Sequence, residues 1–119
     1  MAGEVVHVEF PSSDIERAQR FWSGLFGWEF GESMMPGMEY RMARTGDETG
    51  AAILETNDRP GHPKFYFATD DIEASLATVG ELGGAADAKV PVPMMGWFAA
   101  CTDSEGNMFH LWQADQNAG

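Results

Sequence analysis

The stretch Asp14-Ile15-Glu16 recurs as Asp71-Ile72-Glu73, 57 positions later. At the same offset Phe10 matches Phe67, Leu25 matches Leu82 and Gly27 matches Gly84, with no gap. A shared offset held over about twenty residues points to internal duplication. No other feature limits the fold as much, because whatever the first half builds the second must build again.

Each copy opens with an alternating stretch. In VVHVEF, Val6, Val8 and Phe10 point one way and His7 and Glu9 the other; in KFYFAT, Phe65 and Phe67 oppose Lys64 and Tyr66. A helix follows each stretch. Ser13 with Glu16, and Asp70 with Glu73, have the spacing of a capping box. Ile15, Ala18, Phe21, Trp22, Leu25 and Phe26 form one apolar stripe, and Ile72, Leu76, Val79 and Leu82 the other. Gly27 and Gly83-Gly84 are expected to stop the helices. Three strands are then expected in each copy. They fall near WEFGES, MEYRMART and AAILET in the first, and near AADAKVPV, WFAACTD and NMFHLWQ in the second. Pro36-Gly37, TGDETG and DSEGN supply the turns. The order is β-α-β-β-β, twice. Module one covers about 4–57 and module two about 62–114, within one domain spanning 1–119.

The formal net charge of −12 disfavours nucleic acid and anionic membrane as partners. No apolar run is long enough for a membrane span, and the N-terminus lacks the pattern of a signal peptide. The single cysteine, Cys101, reads as a small buried hydrophobe and fits a reducing cytoplasm. Neither a phosphate-binding loop nor a Gly-x-Ser-x-Gly elbow is present.

Three segments, HVEFPSSDIERAQRFWSGLFGWEF, FATDDIEASLATVGELGG and DSEGNMFHLW, resemble the vicinal oxygen chelate superfamily. It includes glyoxalase I, extradiol dioxygenases and the bleomycin-resistance proteins. DSEGN resembles the common Asp-Pro-Asp/Glu-Gly-Asn turn, with Ser104 in place of proline. The resemblance implies an α+β fold of two βαβββ modules forming a cupped eight-stranded mixed sheet. It does not specify a chemistry, because the scaffold hosts unrelated reactions.

In metal-dependent members, ligands lie on the first and last strands of each module. The corresponding positions here are His7, Lys64 and His110, with Ile53, Leu54 or Glu55 as the fourth. Of those last three only Glu55 can bind a metal, so a divalent ion would use His7, Glu55 and His110. His62 adds a third histidine if the second module's first strand begins early. Lys64 argues against a metal, since an ammonium about 4 Å from a divalent ion costs roughly 8 kcal/mol at an effective dielectric of 20. No cofactor is therefore favoured.

The preferred reading is a small-molecule-binding protein with an eroded metal site. Its ligand is apolar or aromatic, with an anionic group a further option. The ligand-binding set is His7, Glu9, Lys64, Tyr66, Met108, His110 and Trp112. Glu9 has the alternative of pairing with Lys64. A metal-dependent lyase, isomerase or dioxygenase using His7, Glu55 and His110 is the other reading. A homodimer is expected, because Trp22, Phe26, Trp28 and Phe30 exceed what one helix stripe and one strand face need.

Overall fold

The structure, a computed structural model, describes residues 2–33, 37–56 and 62–119. These hold two helices and eight strands in an α+β arrangement, with both parallel and antiparallel pairing. Residues 6–64 form one compact unit and residues 1–5 with 65–119 the other, so each boundary falls just after the first residue of an opening strand, Val5 or Lys64. Met34, Met35, Pro36 and most of the RPGHP connection lie outside the described residues.

In the first unit β1 (Val5–Ser12) leads into α1 (Ile15–Phe26), followed by β2 (Tyr40–Arg44) and β3 (Gly50–Glu55). Strand β3 is central, parallel to β1 and antiparallel to β2. In the second unit β4 (Lys64–Ala68) leads into α2 (Ile72–Glu81). Then come β5 (Ala85–Ala86), β6 (Val90–Val92), β7 (Gly96–Thr102) and β8 (Met108–Ala114). Strand β8 is parallel to β4 and antiparallel to β7, and β5 and β6 both pair with β7. First strand beside last, and last beside its predecessor, is therefore the pairing in both copies.

The copies differ where the sequence pattern is weakest. WEFGES forms no strand; it is tied to β2 by the Gly31 N–H donating to the Met42 carbonyl at 2.9 Å. AADAKVPV, expected as one strand, breaks into β5 and β6. Eight strands thus arise as three and five. In module two the same position carries a ladder, and there the Asp87 N–H donates to the Ala100 carbonyl at 2.9 Å.

The helices begin one residue later than the capping-box pattern suggests. Asp14 and Asp71 are the caps, each in extended conformation, and their carboxylates accept the backbone N–H of Arg17 and Ala74. The Ser12 and Thr69 hydroxyls accept the N–H of the cap residues themselves. Gly27 ends α1 with a left-handed φ of 73°, as a residue without Cβ can. Helix α2 is closed by Leu82, which is 74% exposed and so leaves the expected apolar stripe.

One face of each unit's strands carries the helix. In module two Ile72, Ala99, Cys101 and Leu111 form the buried core, joined by Phe67, Leu76, Val79, Trp97 and Phe109. In module one Ile15, Ala43, Ala51 and Ile53 are buried, and Phe10 stacks on Trp22 at 4.6 Å. The rest of the α1 stripe is not covered: Phe21, Leu25 and Phe26 are 60%, 58% and 58% exposed.

Candidate functional site

The candidate residues lie on the strand faces turned away from the helices. In the first unit, alternation and register put His7 and Glu9 on the same side as Gly50, Ala52, Tyr40 and Met42. The Tyr40 hydroxyl ties the group together. It donates to Glu9 Oε2 at 2.6 Å and lies 2.9 Å from His7 Nε2. Glu9 is only 8% exposed, so this bond satisfies a buried carboxylate. Burial pushes the His7 pKa below its ordinary 6.5, and the Glu9 charge works against that shift. His7 is therefore neutral at neutral pH.

Glu55 does not join this group. It lies on the opposite face, where its Oε1 accepts the Ile15 N–H at 3.3 Å. Gln113 does the same for Ile72 at 2.8 Å. Those two residues are 58 apart, so module two has gained one residue before its last strand. The counterpart of His110 is consequently Ala52: Tyr66 is the register partner of His110 as Glu9 is of Ala52. None of Ile53, Leu54 and Glu55 holds that position. With Ala52 there, Glu55 turned to α1 and His7 Nε2 bonded to Tyr40, the side chains present do not fit a metal ion. Among the described residues no group of three or more His, Cys, Asp or Glu is placed to hold one. His62 is exposed and precedes β4 rather than extending it.

In the second unit Tyr66, His110 and Phe98 form a ring cluster. Tyr66 and His110 are 4.6 Å apart by ring centroid, and Phe98 lies 6.5 Å from the first and 6.2 Å from the second. Tyr66 and His110 are buried, at 9% and 6% exposure, so they make a floor rather than a rim. Half-buried Trp112 and exposed Met108 flank the cluster on the same face of β8. Lys64, half-buried, stands two residues before Tyr66 on β4, as Met108 stands two before His110 on β8. Gly96 makes room for the indole, since a Cβ there would come within 2.6 Å of Trp112 Cζ2.

The start of β8 is set by the DSEGN turn. Asp103 accepts the N–H groups of Glu105 and Asn107 and the Asn107 side-chain amide, each at 2.9 Å. These bonds hold its pKa below the usual carboxylate range. The turn thereby fixes which β8 residues face away from α2.

Sequence reasoning placed His7 with Glu9, Tyr66 with Lys64, and Met108 and Trp112 with His110 on common faces; the β4–β8 register sets Tyr66 against His110. It did not anticipate the bridging hydroxyl of Tyr40. It also did not find Gly96 or the ring contact of Phe98. Alternation in MEYRMART carries the signal for Tyr40, but the register of β1 and β2 on β3 is needed to put it on the same face as His7 and Glu9. The two described clefts open elsewhere, on the helix sides. One of about 340 Å³ includes Phe67, Ser75 and Phe109; one of about 470 Å³ includes Gln19, Glu39 and Arg41. The Arg41 guanidinium there is engaged by Gln19 and Glu16, both at 2.7 Å.

Comparison with known proteins agrees with this architecture. The sequence profile of the glyoxalase-like domain matches residues 6–112. CFP32 of Mycobacterium tuberculosis, provisionally named a glyoxylase, is 31% identical over 94% of this chain and 46% of its own length. The chain thus spans about half the length of that relative. A glyoxylase-like domain-containing protein of Didymella fabae is 30% identical over 88% of this chain and 89% of its own. Among solved structures, a Streptomyces coelicolor methylmalonyl-CoA epimerase variant in complex with 2-nitronate-propionyl-CoA superposes with a TM-score of 0.74. It has 14% identity over 100% of this chain and 99% of that one.

Proposed function

The chain belongs to the glyoxalase-like family, and from that premise we propose that it binds an apolar or aromatic small molecule on the helix-free strand faces. The observation that carries the reading is the Tyr66–His110–Phe98 ring cluster. Three rings on a face no helix covers, flanked by Trp112 and Met108, make an apolar floor with an adaptable edge. Lys64 beside that floor supplies a cation for an anionic group on the ligand. The solved epimerase complex supports a small-molecule role for this scaffold; its acyl-CoA ligand belongs to that protein.

A metal-dependent lyase, isomerase or dioxygenase has less support. Glu55 caps α1 and Ala52 occupies the position matching His110, so no mechanism through a metal is derived. The single buried Cys101 supports residence in a reducing cytoplasm. The exposed Phe21, Leu25 and Phe26 on α1 support a homodimer. Residues 1–119 are read as one domain of two modules.

The test is a titration of the purified protein with a panel of aromatic carboxylates, read by tryptophan fluorescence in wild type and in Trp112→Phe. A saturable signal that is lost or strongly reduced in Trp112→Phe is expected. A signal unchanged in the variant would place the ligand elsewhere.

A further inference from the structure

We infer that Phe98 and Trp112 are the two walls of a slot on the helix-free face of β7 and β8, held open by Gly96, and that the slot takes one flat ring of the ligand. The inference rests on the reading of this face as ligand-binding. It adds the shape that the face selects, a planar aromatic ring rather than a saturated one.

Phe98 and Trp112 are register partners in antiparallel strands, so their side chains leave the same face with Cβ atoms about 4.5–5.5 Å apart. Aromatic side chains placed in this way usually pack on each other. These two do not. The Phe98 ring turns toward Tyr66 and His110, at 6.5 and 6.2 Å by centroid, and among the described residues the Trp112 indole makes no ring contact. The indole leans the opposite way. Its benzo edge lies over Gly96, where a Cβ would come within 2.6 Å of Cζ2 and 2.7 Å of Cη2. Gly96 pairs with Ala114, and His110 pairs with Ala100. Two rings that start side by side therefore part, one toward the level of His110 and the other toward the level of Ala114.

Gly96 makes this parting possible. It is buried, and a side chain there would occupy the space the indole uses. The indole would then be left with the gap toward Phe98, and the slot would close. With glycine in place, both walls are half-buried and aromatic. A flat ring can lie against both of them at once. A saturated ring of the same carbon count is thicker and lacks the quadrupole that aromatic rings match in each other. Gly96 is thus a positioning residue, acting on the ligand through Trp112.

Calorimetric titration of the full chain with 2-naphthoate and with its saturated analogue, decahydro-2-naphthoate, tests this. Both acids carry one carboxylate and the same ring carbons, so the ratio of their affinities reads flatness. Wild type should bind the flat acid about tenfold more tightly. Phe98→Leu and Trp112→Leu each keep an apolar side chain and remove one wall, and each should bring the ratio near one. A folded Gly96→Ala should do the same with both rings present; a merely structural role would lower both affinities together and leave the ratio unchanged. Equal binding of the two acids by wild type would overturn the inference and leave the broader reading of an apolar ligand intact. A flat-ring preference that survives in both leucine variants would also overturn it, and one that survives in Gly96→Ala would remove Gly96 from the slot. Binding of neither acid would remove the broader reading and this inference with it. The wild-type ratio decides the matter even where a variant fails to fold.

Discussion

The Tyr66 and His110 rings lie 4.6 Å apart because their backbones are register partners in the parallel strands β4 and β8. With His110 at 6% exposure, the contact is a packing one as well as a candidate ligand floor. His110→Ala should therefore cost stability, about 1–3 kcal/mol in urea unfolding, in the range of other cavity-forming changes. An unchanged midpoint would show that the ring packs loosely and that its burial contributes little.

Gly96→Ala should disturb both the sheet and the face. The added Cβ would run into the Gln113 carbonyl oxygen and into the Trp112 ring. Overpacking of this kind costs roughly 1–3 kcal/mol. It should also change the Trp112 emission, which thermal melts monitored by fluorescence would show. A wild-type melt with wild-type emission would mean that the β7–β8 edge yields without moving the indole.

Much of this was legible in the sequence because duplication and strand alternation constrain each other. The offset of 57 set the helix starts, and alternation set the shared faces of His7 with Glu9 and of Tyr66 with Lys64. Cap chemistry was read one residue early, because Ser13 beside Asp14 offers two acceptors and only backbone geometry selects between them. Glu55 was misplaced because a one-residue difference between the modules moves a side chain to the other face. The Tyr40 bridge needed register between strands 31 residues or more apart in sequence, which periodicity within either strand does not contain.

Stability should fall on mild acidification, partly through His7. Its folded pKa lies below the ordinary 6.5, so the unfolded chain takes up the proton first as pH drops. The contribution is intact above that ordinary value and is lost as pH falls through the lowered folded value. His7→Gln should therefore lose less stability than wild type between about pH 7.5 and about pH 5.5. Equal losses in urea midpoints would remove His7 from the acid response.

Light scattering at micromolar concentration should give twice the 13.0 kDa chain mass. Phe21→Lys or Phe26→Lys on α1 should shift it toward the single chain, since a charge in a buried apolar contact is costly. A wild-type mass that stays at 13.0 kDa as concentration rises would mean that α1 is exposed in solution as it is in the single chain.

The most direct test of the central claim compares binding of an aromatic carboxylate and its neutral amide to wild type and to Lys64→Met, by calorimetry. Wild type should prefer the anion about tenfold, equivalent to about 1.4 kcal/mol, and Lys64→Met should bind both alike while keeping the wild-type fold. Equal affinity for the two ligands in wild type, or an anion preference that survives in Lys64→Met, would contradict a ligand site beside the Tyr66–His110–Phe98 floor with Lys64 as its cation.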